Sequence, residues 1–93
     1  MLIYVDIDGT ICNKTDGSYK EAIPVMENIE KINKLYEEGN TIIYWTARGA
    51  VSGVDWTNVT ENQLNNWGAK HHELKMNNKP HYDILICDKT KRI

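Results

Sequence analysis

The chain has 93 residues, a formal net charge of −2 and 41% hydrophobic residues, which predicts one small domain over 1–93. Eleven Lys and Arg against thirteen Asp and Glu give no basic excess for nucleic acid, and no apolar run approaches the ~20 residues that span a bilayer. The N-terminus lacks the basic region of a signal peptide, and Cys12 and Cys87 are far apart in sequence. We therefore expect a cytoplasmic protein that does not bind nucleic acid or membrane.

The first half of the chain predicts a strand, a loop and a helix. Leu2–Val5 is a continuous apolar run, typical of a strand buried on both faces. Gly9–Lys20 is polar and predicts a loop or a short flap-like hairpin. Pro24 suits a first helical turn, apolar residues then recur at three- and four-residue spacing, and Gly39 favours an end. The spacing predicts a helix over about 24–38.

The second half predicts strand, helix and strand again. Thr41–Thr46 is a second buried strand, and Tyr82–Asp88 is the last one. Between them, Thr60 and Gln63 fit a capping box that opens a short helix, with Thr57 or Asn58 as alternative N-caps. A weak strand is predicted around 71–74.

Strands that alternate with helices predict a parallel sheet with helical crossovers. We therefore predict an α/β fold, in the form of a minimal Rossmann-like, three-layer α/β/α domain with a short parallel sheet and no cap domain.

Each of the three clear strands ends in a polar residue, namely Asp6, Thr46 and Asp88. The carboxyl ends of parallel strands share one edge of a sheet, and ligands bind in the crevice outside them. Asp8 adds a second carboxylate beside Asp6, although a single Asp at a strand end is more often a turn or helix cap. Three carboxylates at one edge suit a hard, oxygen-seeking ion such as Mg²⁺.

Four segments resemble the motifs of the haloacid dehalogenase-like phosphatases. Asp-Ile-Asp-Gly-Thr at 6–10 is similar to their first motif, and Trp-Thr-Ala-Arg-Gly at 45–49 to their second. Lys79-Pro80 fits the third, and Cys87-Asp88 the fourth. The order and spacing resemble, more narrowly, the small capless members linked to capsular polysaccharide biosynthesis.

The resemblance implies the chemistry of the carboxylates. Asp6 would be the nucleophile that forms an aspartyl-phosphate, and Asp8 the general acid and then the base. The carboxylates of Asp6 and Asp88, with the backbone carbonyl of Asp8, would hold Mg²⁺. Cys87 stands where this subgroup commonly has another acid, and we interpret it as a core residue, because a thiol is a poor Mg²⁺ ligand.

The resemblance also implies a phosphate site formed by Thr46, Ala47, Arg48 and Lys79. For Arg48 two roles stay open, namely contact with substrate or phosphate, and bracing of the motif. The segments 14–19 and 49–56 are the candidate selectivity elements. Trp56 in the second either stacks on a substrate ring or packs the loop.

The implied function is Mg²⁺-dependent hydrolysis of a small phosphorylated metabolite, such as a sugar or polyol phosphate of surface-polysaccharide synthesis. A phosphotransferase or phosphomutase uses the same intermediate. A catalytically weak module that binds Mg²⁺ or phosphate is the alternative that Cys87 suggests. For so short a chain we expect either an open site that takes an accessible phosphate, or a site that a second copy of the chain covers.

Overall fold

The computed structural model describes residues 1–15, 18–48 and 53–76, and the backbone of 84–86. Its elements, in chain order, are strand β1 (Leu2–Asp6), a 3-10 turn (Tyr19–Glu21), helix α1 (Met26–Glu37), strand β2 (Thr41–Thr46), helix α2 (Thr57–Asn66), strand β3 (Glu73–Met76) and strand β4 (Ile84–Ile86). The strands form one parallel sheet in the order β3-β2-β1-β4. The predicted α/β class and short parallel sheet are confirmed.

The two helices lie on one face of the sheet. Ile29 and Ile32 of α1 and Leu64 of α2 are fully buried in one cluster with alternate residues of β1 and β2. The steps from β1 to β2 and from β2 to β3 run in the same direction across the sheet, so right-handed crossovers place both helices on the same side. The described residues thus form two layers, and the predicted second helical layer is not seen among them.

The opposite face of the sheet carries the other alternate residues of β1 and β2. Tyr4 and Ile43 are almost fully buried there, with Leu2 and Trp45 packed against them. Strands with apolar residues on both faces fit the prediction of buried strands. No helix among the described residues is long and apolar enough to cross a bilayer.

The segment from Gly9 to Val25, called the hairpin below, folds back on itself, and residues 16 and 17 within it lie outside the described residues. Cys12 pairs in an antiparallel bridge with Pro24, and the amide of Val25 donates to the carbonyl of Ile11 at 2.8 Å. Pro24 and Val25 are thereby held in extended pairing. This is why α1 begins at Met26, two residues later than predicted.

Helix α2 begins at Thr57, and Thr60 lies inside it, so the predicted capping box was wrong. The N-cap position is Trp56, which also excludes Thr57 and Asn58. The carboxylate of Asp55 accepts the amide of Thr57 at 2.9 Å, while the hydroxyl of Thr60 donates to the carbonyl of Trp56 at 2.8 Å. β3 likewise begins two residues later than predicted, at Glu73.

Candidate active site

The ends of β1 and β2 lie side by side. Asp6 pairs in register with Trp45, so Thr46 lies one residue beyond it on the neighbouring strand. Asp6 is half-buried, whereas Thr46 is 1% exposed. The predicted meeting of these two strand ends is therefore present. Two further predicted members of the site, Lys79 and Asp88, lie outside the described residues, as does Cys87.

A tight turn after β1 positions Asp8. The amides of Thr10 and Ile11 both donate to the carbonyl of Ile7 at 3.1 Å, and the amide of Gly9 donates to the carbonyl of Cys12 at 2.9 Å. Gly9 has a φ of 83°, a conformation in which a side chain would clash with the backbone. The glycine of the first motif is thus required by the turn.

The carboxylate of Asp8 is held by Arg48 in a two-pronged ion pair. Nη2 of Arg48 lies 2.9 Å from Oδ1 of Asp8, and Nε lies 3.0 Å from Oδ2. The hydroxyl of Thr46 donates to Oδ2 of Asp8 at 3.3 Å and accepts the amide of Arg48 at 3.2 Å. Thr46 and Arg48, both predicted to bind phosphate, therefore contact Asp8 in the structure. Ala47 lies between them and is exposed.

The rest of the Arg48 guanidinium faces protein as well. Nη1 donates to the hydroxyl of Thr60 at 3.2 Å and to the side-chain carbonyl of Gln63, and Nη2 also approaches the sulfur of Cys12 at 3.9 Å. The side chain is 0% exposed, against 24% for Asp8. Of the two roles left open for Arg48, these contacts favour bracing.

Thr60 and Gln63 belong to this network, which the sequence did not by itself indicate. Their three-residue spacing fits a capping box, yet inside a helix the same spacing places both side chains on one face. In α2 that face is directed at Arg48. The signal was present, but its assignment depended on where α2 begins.

The hairpin covers Arg48 from the other side. The centroid of the Tyr19 ring lies 4.8 Å from the guanidinium carbon, a cation–π distance. The carbonyl of Tyr19 accepts a hydrogen bond from the side-chain nitrogen of Gln63. The ring of Tyr19 packs edge-on against that of Trp56, with the ring centroids 5.1 Å apart. For Trp56, packing is thus the observed role of the two that the sequence left open.

The thiol of Cys12 lies 3.6 Å from Oδ1 of Asp8 and is 1% exposed. The pKa of Cys12 is raised to about 12, chiefly because burial disfavours the charged thiolate. The negative charge of Asp8 also raises this pKa, and the positive charge of Arg48 lowers it by less. The thiolate is the reactive form of cysteine, so this thiol is unreactive in the folded protein.

We therefore expect Cys12 to resist iodoacetamide in the native protein at about pH 8 and to react once the chain is unfolded in denaturant. A Cys87→Ser background isolates this thiol, and mass spectrometry of timed samples gives the labelled fraction. Equal labelling rates in native and denaturing buffer would contradict the burial of Cys12.

The described residues contain no cluster of three or more His, Cys, Asp or Glu side chains able to hold a metal. Two of the three predicted metal ligands, Asp6 and Asp8, are described, and their oxygen donors suit a hard cation. The resemblance implies that Asp8 would contribute its backbone carbonyl. This fits the structure, in which Arg48 engages the carboxylate of Asp8.

No protein-family model matches the chain. A glucosyl-3-phosphoglycerate/mannosyl-3-phosphoglycerate phosphatase from Persephonella marina is 52% identical over 31 residues, which are 33% of this chain and 12% of that protein. The chain thus matches only a small part of that relative's length.

Solved structures of low sequence identity share the fold. A structural-genomics target from Vibrio cholerae aligns with a TM-score of 0.75 at 21% identity, over 87% of this chain and 72% of that one. The D,D-heptose 1,7-bisphosphate phosphatase of B. bronchiseptica, solved with magnesium and phosphate, aligns with a TM-score of 0.59 at 20% identity, over 98% and 54%. At these identities the likenesses show the fold alone, and it is the small α/β domain with a parallel sheet that the sequence predicted.

Proposed function

We propose that the protein is a Mg²⁺-dependent phosphomonoesterase that works through an aspartyl-phosphate on Asp6. The observation that carries this proposal is the placement of Asp8 just beyond Asp6, with its carboxylate fixed by Arg48 and Thr46. The proposed reaction needs a nucleophile and a proton carrier. The carboxylate at the strand end can serve as the first, and the one held on the following turn as the second.

The reaction has two steps. A carboxylate oxygen of Asp6 bonds to phosphorus as the ester P–O bond breaks, and protonated Asp8 gives its proton to the departing alkoxide. A water then attacks the same phosphorus while Asp8 accepts a proton from it. The bond between phosphorus and Asp6 breaks, which releases inorganic phosphate and restores the carboxylate of Asp6 and the protonated Asp8.

Mg²⁺ would be held by the carboxylates of Asp6 and Asp88 and the backbone carbonyl of Asp8. When bound, it supplies positive charge that offsets the repulsion between an anionic nucleophile and an anionic ester. Lys79 would add a further positive charge, and Thr46 and Ala47 would border the phosphate. In the structure the hydroxyl of Thr46 donates to Asp8, so Thr46 also links the two carboxylate-bearing segments.

Sugar phosphates are the substrate class that the comparisons favour. The named relative acts on a glycosylated phosphoglycerate, and one of the structural neighbours acts on a heptose bisphosphate. Within that class, a phosphate of surface-polysaccharide synthesis is our specific proposal. Tyr19 and Trp56, both half-buried beside the site, are the aromatic side chains that would border the sugar.

The test of this function is release of inorganic phosphate from p-nitrophenyl phosphate and from a panel of sugar phosphates. We expect turnover with Mg²⁺, loss of turnover after treatment with EDTA, and recovery when Mg²⁺ is added back. Quantifying free phosphate and the released alcohol separates hydrolysis from transfer to another acceptor. Turnover that survives complete chelation would contradict the proposed metal dependence.

A further inference from the structure

A chain of contacts leads from Asp8 through Arg48 to α2 and then to the hairpin. Arg48 grips Asp8 with Nε and Nη2, and its remaining nitrogen, Nη1, donates to Thr60 and Gln63. The side chain of Gln63 accepts from Arg48 with its oxygen and donates to the carbonyl of Tyr19 with its nitrogen. One amide group therefore contacts both the guanidinium and the hairpin.

The geometry of this network needs an arginine. A guanidinium is a planar fork that donates in fixed directions, whereas a lysine ammonium is a point charge on a flexible stem. Here one side of the fork fits both oxygens of Asp8 while Nη1 points to α2. Two anchors in different directions hold the fork, and the fork in turn fixes the plane of the Asp8 carboxylate.

The network is also dry. Arg48 has no exposed side-chain surface, and the ring of Tyr19 covers its guanidinium carbon at 4.8 Å. Exclusion of water strengthens an ion pair, because the local dielectric constant falls. The partly exposed carboxylate of Asp8 is thus held from its buried side, which leaves its exposed part toward solvent.

We propose that Arg48 is the positioning residue for Asp8, and that Gln63 ties this positioning to the hairpin at Tyr19. The inference rests on the proposed function, in which Asp8 carries the proton. Arg48 then acts through Asp8 and not on the phosphate. This separates it from the alternative in which Arg48 binds the phosphate itself.

The leaving group of the substrate distinguishes these roles. A proton donor matters most for a basic alkoxide and least for nitrophenolate, which departs without one. For Arg48→Lys and Arg48→Met we expect kcat/KM on an alkyl phosphate to fall about 100-fold, and on p-nitrophenyl phosphate less than about tenfold. We compare kcat/KM because this constant reports only the steps up to and including departure of the alcohol, and not the later hydrolysis of the aspartyl-phosphate. Inhibition by inorganic phosphate should stay at the wild-type level.

Two substitutions at Gln63 test the link without removing a buried charge. Gln63→Glu keeps an oxygen for Arg48 but loses the donor to Tyr19, whereas Gln63→Leu loses both. We expect Gln63→Leu to show the same selective loss on alkyl phosphates, and Gln63→Glu to show a smaller one. Asn62→Leu, at an exposed neighbouring position of α2, is the matched control and should behave as wild type.

These experiments can contradict the positioning role of Arg48 separately from the proposed phosphatase function. Equal losses on alkyl and aryl substrates, or weaker inhibition by inorganic phosphate, would overturn the positioning role while wild-type turnover stands. A wild-type chain without turnover would overturn the proposed function, and the inference with it. If the Arg48 variants do not fold, the two Gln63 variants test the positioning role instead. A Gln63→Leu variant with the wild-type ratio of alkyl to aryl activity would then contradict it.

Discussion

Replacing Asp6 with Asn is expected to lower the rate of phosphomonoester hydrolysis by roughly 10³-fold or more. The amide has nearly the shape of the carboxylate but cannot attack phosphorus to form an acyl phosphate. The substitution lies at the end of β1, where Asp6 pairs in register with Trp45 through backbone atoms that the change does not alter. The measurement is the rate of phosphate release with Mg²⁺, with circular dichroism as the check on folding.

An Asp8→Asn variant provides the matched control, since it keeps the nucleophile and removes the proton carrier. With p-nitrophenyl phosphate it should release about one equivalent of nitrophenol per enzyme in a burst, and then stall as the aspartyl-phosphate accumulates. Asp6→Asn should give no burst. Turnover by Asp6→Asn at the wild-type rate would exclude Asp6 as the nucleophile.

The second large effect is on stability. Asp8→Ala is expected to lower the free energy of unfolding by about 3–5 kcal/mol, because it leaves the buried guanidinium of Arg48 without its anionic partner. For a domain of this size, such a loss corresponds to a fall in Tm of about 4–8 °C for each kcal/mol. Thermal and urea unfolding of the metal-free protein would measure it.

The double variant Asp8→Ala/Arg48→Met shows whether the unpaired charge is the cause. Methionine replaces the guanidinium with an apolar side chain, so no buried charge remains and part of the lost stability should return. We expect the double variant to be more stable than Asp8→Ala alone. A double variant that loses the sum of both single effects would show that the ion pair is not what destabilises Asp8→Ala.

Much of the fold follows from local patterns. The bounds of β2 match the prediction at both ends, because Thr41–Thr46 is a compact apolar run between Gly39 and a loop. The order of strands and helices also predicts a parallel sheet, since a helix between two strands returns the chain to the end of the sheet where the first strand began. The layer count was harder to predict, because the side on which each helix packs depends on the order of strands in space.

Part of the candidate site could likewise be predicted from the sequence, and part could not. The strand ends at Asp6 and Thr46 could be placed from topology alone. The role of Arg48 could not, because its contacts come from the turn after β1, from α2 and from the hairpin, which are far apart in sequence. A guanidinium next to a phosphate motif gives the same local pattern whether it faces the ligand or a carboxylate.

The central position of β1 has a consequence for how the chain folds. Ile3 pairs with Ile42 on one side and with Ile84 on the other, so the strand that carries Asp6 gains its partners from distant parts of the sequence. Pairings of such high contact order slow folding, because the ends of long loops must meet before any contact is gained. During synthesis, the sheet cannot close around β1 until β4 has left the ribosome. Asp6, which we propose as the nucleophile, thus lies on a strand whose surroundings are completed only after β4 has been made.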